Sequence, residues 1–156
     1  MDDPGRAAEA PARSRAEYPH FLVIATRWMD NDVYGHVNNV TYYSYFDTVV
    51  NEHLIRAGGL DFERDAAIGV VVETSCVFRK SLSFPDTIDA GLAVIKVGNT
   101  SVVYEIGLFR QGDEALAALG RFVHVWVDRA TQRPVAVPSR IRAALEALRV
   151  TRERTP

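Results

Sequence analysis

The stretch that decides the reading runs from residue 28 to residue 53: Trp28-Met29-Asp30-Asn31-Asp32-Val33-Tyr34-Gly35-His36-Val37-Asn38-Asn39-Val40-Thr41-Tyr42-Tyr43-Ser44-Tyr45-Phe46-Asp47-Thr48-Val49-Val50-Asn51-Glu52-His53. Its first part concentrates two acids, a glycine, a histidine and two asparagines. Its second part places Tyr43, Phe46, Val50, Leu54 and Ala57 at spacings of three and four, the period of one helical face. Asn38 or Asn39 is placed to cap that helix, because an asparagine side chain accepts from the free amides of a first turn. Gly58-Gly59 supplies the left-handed residue that ends it. Such a helix, about 18 residues and roughly 27 Å long, crosses several strands, and its apolar face needs a sheet to cover it.

The flanking sequence provides one. On the N-terminal side, residues 20–28 hold Phe21, Leu22, Val23 and Ile24, apolar on both faces and too short for a helix, which predicts a largely buried first strand. On the C-terminal side, residues 69–80 alternate, with Val70, Val72, Thr74, Cys76 and Phe78 on one face. Ser83-Phe84-Pro85-Asp86 breaks the run. Residues 87–97 then group Ile88, Ala90, Leu92 and Val94, Gly98-Asn99 makes a turn, and residues 101–110 group Val102, Tyr104, Ile106 and Leu108. Residues 116–128 place Phe122, His124 and Trp126 opposite Val123, Val125 and Val127, a strand apolar on both faces and therefore central or covered by a second subunit. Pro138-Ser139 opens a short helix carrying Ile141, Leu145 and Leu148. The expected architecture is α+β, a long helix packed on an antiparallel sheet of about five strands, with a short C-terminal helix.

Composition bounds the rest. The 156 residues are 47% hydrophobic, which fits one domain with a sizeable core. Residues 1–17, rich in Ala, Arg, Pro and acids, have no apolar periodicity and read as a disordered leader. Residues 18–150 form the domain and residues 151–156 a tail. A net charge of −2 and scattered arginines leave no basic excess for nucleic acid. No apolar run approaches the roughly 20 residues that span a bilayer. One cysteine, Cys76, excludes an internal disulfide framework and points to the cytoplasm.

Several chemistries drop out: there is no Gly-x-Ser-x-Gly elbow, phosphate loop or paired-cysteine site, and His20, His36, His53 and His124 lack metal-ligand spacing. What remains is a carboxylate-bearing loop running into a helix N-terminus, where free N–H groups favour developing negative charge on a thioester or ester carbonyl. A neighbouring Asp can attack that carbonyl or activate water. An Asp and Asn before a helix also serve as ordinary caps, so on chemistry alone both readings stand.

The segment from Asp30 to Asn39, with Tyr42, Tyr43 and Phe46-Asp47 after it, resembles the signature of hotdog-fold thioesterases of the 4-hydroxybenzoyl-CoA and acyl-CoA thioesterase group. It is also similar to the Asp-x-Asp-x-x-x-His-Val-Asn-Asn segment of plant acyl-ACP thioesterases. The order of strand, helix and four strands agrees, as does the Val97-Gly98-Asn99-Thr100-Ser101 turn. The resemblance implies a hotdog fold and hydrolysis of a fatty or aromatic acyl-CoA, or of acyl-ACP, without metal or bound cofactor. It makes Asp32 the catalytic carboxylate, the Asn39 N–H the group that polarises the carbonyl, and His36 a second catalytic candidate. The acyl-ACP group has asparagine where this chain has Tyr34, so the histidine mechanism of that group does not transfer whole. Tyr34, Gly35, Asn38 and Tyr43 become candidates for lining the substrate site. Glu73 becomes a candidate from a strand at a dimer interface, Arg79 and Lys80 for CoA phosphates, and Thr100 and Ser101 for the pantetheine arm. Relatives assemble as homodimers or homotetramers. A hotdog dehydratase or hydratase and a non-catalytic acyl-thioester-binding protein are the alternative readings.

Overall fold

The computed structural model describes residues 12–151. The elements are β1 (His20–Ala25), α1 (Asn39–Arg56), β2 (Ala67–Phe78), β3 (Thr87–Val97), β4 (Ser101–Arg110), β5 (Leu116–Asp128) and α2 (Ser139–Glu146). The five strands form one antiparallel sheet in the order β1-β3-β4-β5-β2. Strands β3, β4 and β5 are the expected meander. Strand β2 does not pair with β3, its neighbour in sequence, but closes the far edge against β5.

The core lies between α1 and one face of the sheet. From α1, Tyr42, Tyr45, Phe46, Val49, Val50, His53 and Leu54 are buried. They meet Ile88, Ala90, Leu92 and Val94 of β3, Val102, Tyr104, Ile106 and Leu108 of β4, and Ala118, Phe122 and Trp126 of β5. Each large apolar side chain withdrawn from water contributes roughly 2 kcal/mol before entropy is counted. The row of α1 against the sheet is broader than the expected one. Tyr43 is only half-buried and Ala57 is exposed, while Tyr42, Tyr45 and Val49 turn inward.

Three expectations are corrected. First, β1 stops at Ala25, and Trp28–Asp30 form a separate 3-10 turn. It is also an edge strand rather than a buried one, with Val23 58% exposed. Second, the alternation along β2 is not continuous. A bulge at Val71/Glu73 puts Gly69 and Val71 on the same face as Thr74, Cys76 and Phe78, because cross-strand partners share a face. Third, the last residues of the expected leader pack on the sheet. Residues 15–17 make a 3-10 turn, and the Arg15 guanidinium bonds Asp89 at 2.6 Å and lies 4.7 Å from the centre of the Phe109 ring. Arg13 meets Glu105 at 2.9 Å. Tyr18 lies over Gly91 and Gly107, where an added Cβ would come within 2.7 and 2.6 Å of its ring. This segment therefore crosses the outer face of the sheet, away from α1. The leader's earlier part and nearly all of the tail lie outside the described residues.

Candidate active site

The loop between β1 and α1 is fixed by its own polar groups. Gly35, at φ +81°, takes the left-handed position of a tight turn in which its N–H donates to the Asp32 carbonyl at 3.1 Å. Asn31 and Val37 bridge across the base of the loop, and the Asp32 N–H donates to the His36 carbonyl at 2.8 Å. The loop is pinned to the segment after β2. Val37 N–H donates to the Leu82 carbonyl, the Ser83 hydroxyl donates to the Gly35 carbonyl, and Phe84 N–H donates to Asn31 Oδ1.

Asp30 and Asp32, two residues apart, have opposite surroundings. Asp30 is 1% exposed. Its carboxylate accepts from the Arg27 N–H at 2.9 Å, from the Tyr45 hydroxyl at 2.7 Å and from the Arg27 guanidinium at 2.9 Å. Burial pushes its pKa up, but these donors outweigh burial and hold it below the usual carboxylate range. These bonds tie the start of the loop to α1 through Tyr45. Asp32 is half-buried and opens to the surface. Its Oδ1 accepts from the Tyr34 N–H at 2.9 Å, and Oδ2 accepts from no group among the described residues.

The loop ends at the N-terminus of α1. Asn38 is the cap, its Oδ1 accepting from the Val40 N–H at 3.3 Å, and its carbonyl accepts from Thr41. The Asn39 N–H, at the first helical position, has no acceptor within the helix. It is an exposed donor at the positive end of an 18-residue helix.

A groove of about 340 Å³ runs past these groups, lined by Asp32, His36, Val37, Asn39, Tyr42, Phe78, Arg79, Lys80 and Ser81. The three residues expected to be catalytic thus line one surface with the two basic residues expected to meet phosphate. Lys80 is tied to Asp113 at 2.8 Å, whereas the Arg79 guanidinium pairs with no carboxylate among the described residues. Tyr34, Gly35 and Asn38 flank the groove within the same loop. Tyr43 lies on the half-buried side of α1 and does not line it. Tyr42 does, 3% exposed and set edge-on to Phe78 with centres 4.9 Å apart. Its place three residues after Asn39 puts the two on one helical face. Val37, Phe78 and Ser81 also line the groove, and no expectation had assigned them to it.

Two expected contacts lie elsewhere in this chain. Glu73, midway along the β2 edge, pairs with Arg121. Thr100 and Ser101 occupy the β3–β4 turn at the opposite end of the sheet, where the Thr100 carbonyl accepts from Trp126 at 2.7 Å. Neither lines the groove. Among the described residues no group of three His, Cys, Asp or Glu side chains could hold a metal ion. None of the described helices is long and apolar enough to cross a membrane.

Residues 26–145 match the family model of the thioesterase-like superfamily. The chain belongs to that superfamily. A crystal structure of a Pseudomonas aeruginosa protein is 52% identical, covering 89% of this chain and 97% of that one with a TM-score of 0.87. A second P. aeruginosa protein, provisionally described as a thioesterase, is 33% identical over 81% of this chain and 98% of its own, with a TM-score of 0.75. A thioesterase from Thermus thermophilus, solved with coenzyme A and Zn, is 26% identical over 85% and 95% of the two chains, with a TM-score of 0.72. No curated protein matches significantly. The thioesterase-like chain described here has the hotdog fold, and thioester hydrolysis is the reaction its superfamily supports. Among the described residues, the groove brings together a carboxylate that reaches solvent, a helix N-terminal amide with no acceptor in its helix, and a guanidinium with no paired carboxylate.

Proposed function

We propose that this thioesterase hydrolyses an acyl-CoA to the free acid and CoA, with Asp32 as the reacting carboxylate. The observation that carries the reading is the convergence of Asp32, His36 and the Asn39 amide on one groove that also exposes Arg79. The carbonyl oxygen rests on the Asn39 N–H, where the amide and the helix dipole stabilise the oxyanion as it develops. If Asp32 Oδ2 adds to the carbonyl carbon, the C–S bond breaks, the CoA thiolate leaves, and a water then cleaves the acyl-aspartyl anhydride to free acid and carboxylate. If Asp32 instead takes a proton from an attacking water, the tetrahedral intermediate collapses with loss of the thiolate. In both cases the thiolate is protonated to the thiol. His36 orients the water or the thioester. Arg79 and Lys80 take phosphate groups of the CoA, and the thioesterase solved with coenzyme A supports that choice of carrier over an acyl carrier protein.

The same reading includes a homodimer. Among the described residues no strand pairs with the outer edge of β2, and Val71, Val72 and Phe78 along it are 40%, 58% and 48% exposed, while Val33 and Tyr34 of the loop stand 96% and 84% exposed. An edge strand with that apolar flank pairs readily with a second copy. In that assembly Glu73 and the Thr100-Ser101 turn stand as contributors to the other copy's groove. Release of free thiol from acyl-CoA and acyl-ACP substrates, with sedimentation on the same sample, tests both parts. Thiol release from acyl-CoA by a dimer is expected. Binding without release refutes hydrolysis, and a stable active monomer refutes the assembly.

A further inference from the structure

Behind the groove the space between α1 and the sheet is filled by aromatic side chains of α1, of which Phe46 packs directly on the sheet backbone. An acyl group entering past Phe78 meets β5 at Ala118, which pairs with Phe78, and next at Gly120, which pairs with Cys76 on β2. These small residues leave room above the sheet, and the ring of Phe46 occupies it. Phe46 is fully buried, and a Cβ added to Gly120 would come within 2.5 Å of its ring. The ring is held from the side by Tyr43, edge-on with centres 5.8 Å apart. Tyr42, against Phe78, and Tyr45, fixed to Asp30, fill the approach.

We infer that Phe46, seated on Gly120, sets the inner limit of the acyl site, so that the enzyme takes compact acyl groups, a short chain or a single aromatic ring, and rejects long fatty chains. The inference rests on the reading of the groove as an acyl-thioester site. A long chain has no open path between α1 and the sheet. Admitting it means displacing a ring packed directly on backbone, and interiors packed at this density do not yield such space without moving the helix.

The test uses butyryl-, benzoyl-, decanoyl- and palmitoyl-CoA for thiol release, with the corresponding non-hydrolysable thioethers for binding by calorimetry. In the natural chain, butyryl and benzoyl forms are expected to bind and react. For decanoyl and palmitoyl forms, kcat/KM and affinity are expected to fall by at least about tenfold, the scale on which an apolar pocket discriminates by size. Phe46→Leu, which keeps an apolar side chain over Gly120, is expected to shift the cut-off toward decanoyl, and Phe46→Ala to shift it further. If the alanine variant does not fold, the leucine variant decides. Equal affinity for palmitoyl and butyryl forms in the natural chain overturns the inference. So does a folded Phe46→Leu protein with an unchanged chain-length profile. Preferential binding of compact analogues with no thiol release from any substrate refutes hydrolysis and leaves the size limit standing. Failure of every analogue to bind overturns both.

Discussion

Acid should destabilise this protein through His124, a residue with no part in the groove. Its ring is 1% exposed, stacked among Tyr104, Phe122 and Trp126 beneath α1, and its only polar partner among the described residues is the Tyr104 hydroxyl, 3.4 Å from Nδ1. Burial pushes its pKa from 6.5 down to about 4. The folded state therefore keeps the ring neutral while the unfolded chain takes up the proton. Its contribution is whole above pH 6.5, erodes as the pH falls below that value, and is lost once the pH passes about 4. At about 1.4 kcal/mol per unit, the full loss is about 3 kcal/mol, of which about 2 kcal/mol is gone by pH 5. Burial also depresses the pKa of His53, which adds loss of the same sign, so the two must be separated. Urea denaturation of the natural chain and of His124→Asn at pH 7 and pH 5 does this, since His53 is present in both. The variant starts less stable but should lose about 2 kcal/mol less on acidification. Equal acid losses in the two proteins would refute the argument.

Three further outcomes follow from contacts already described. Asp32→Asn should lower turnover by at least ~10²-fold with substrate affinity largely kept, because it removes the group proposed to act in the transition state. A greater loss in His36→Ala, measured by the same thiol assay, would move the assignment to the histidine. Tyr45→Phe leaves Asp30 short of a donor inside the fold and should cost about 1–3 kcal/mol in denaturant unfolding, with turnover reduced because the loop loses an anchor. A chain beginning at Glu17 should still fold and turn over. It loses Arg13–Glu105 and the Arg15 contacts to Asp89 and Phe109, and should be about 1–2 kcal/mol less stable in the same unfolding assay.

The elements were legible because their signals are local. The 3.6-residue period of α1, the Asn38 cap and the alternation of β3, β4 and β5 each depend on neighbours in sequence, and their bounds fall where those signals end. What was missed depends on distance. Nothing in Val70-Val71-Val72-Glu73 announces a bulge, since Val71 and Val72 suit either face. The bulge comes from fitting β2 to β5, and it decides which residues face the helix. Likewise β1 reads as buried because its residues are apolar, yet its position at the sheet edge is set by β3. The candidate site was legible in one loop because Asp32, His36 and Asn39, close in the chain, also line one groove. The groove's other wall, Phe78 to Ser81, arrives from the end of β2.

The N-terminal segment makes the same point from the opposite side. Arg13, Arg15 and Tyr18 sit in sequence with no apolar period, and no local rule predicts that they bind. The signal lay far away. Gly91 and Gly107 interrupt two otherwise well-filled strands, and a glycine inside a strand often marks a close approach by another part of the chain. The two are directly paired in the β3–β4 register, so together they open one gap on the outer face, and Tyr18 fills it. Gly120 repeats the device on the inner face with Phe46 as the occupant. Three strand glycines thus admit two aromatic rings. The inner ring is the one inferred to limit the acyl site, whereas the outer one anchors the segment before β1, so filling the inner gap with Gly120→Ala should disturb substrate choice and filling the outer gap with Gly107→Ala only stability.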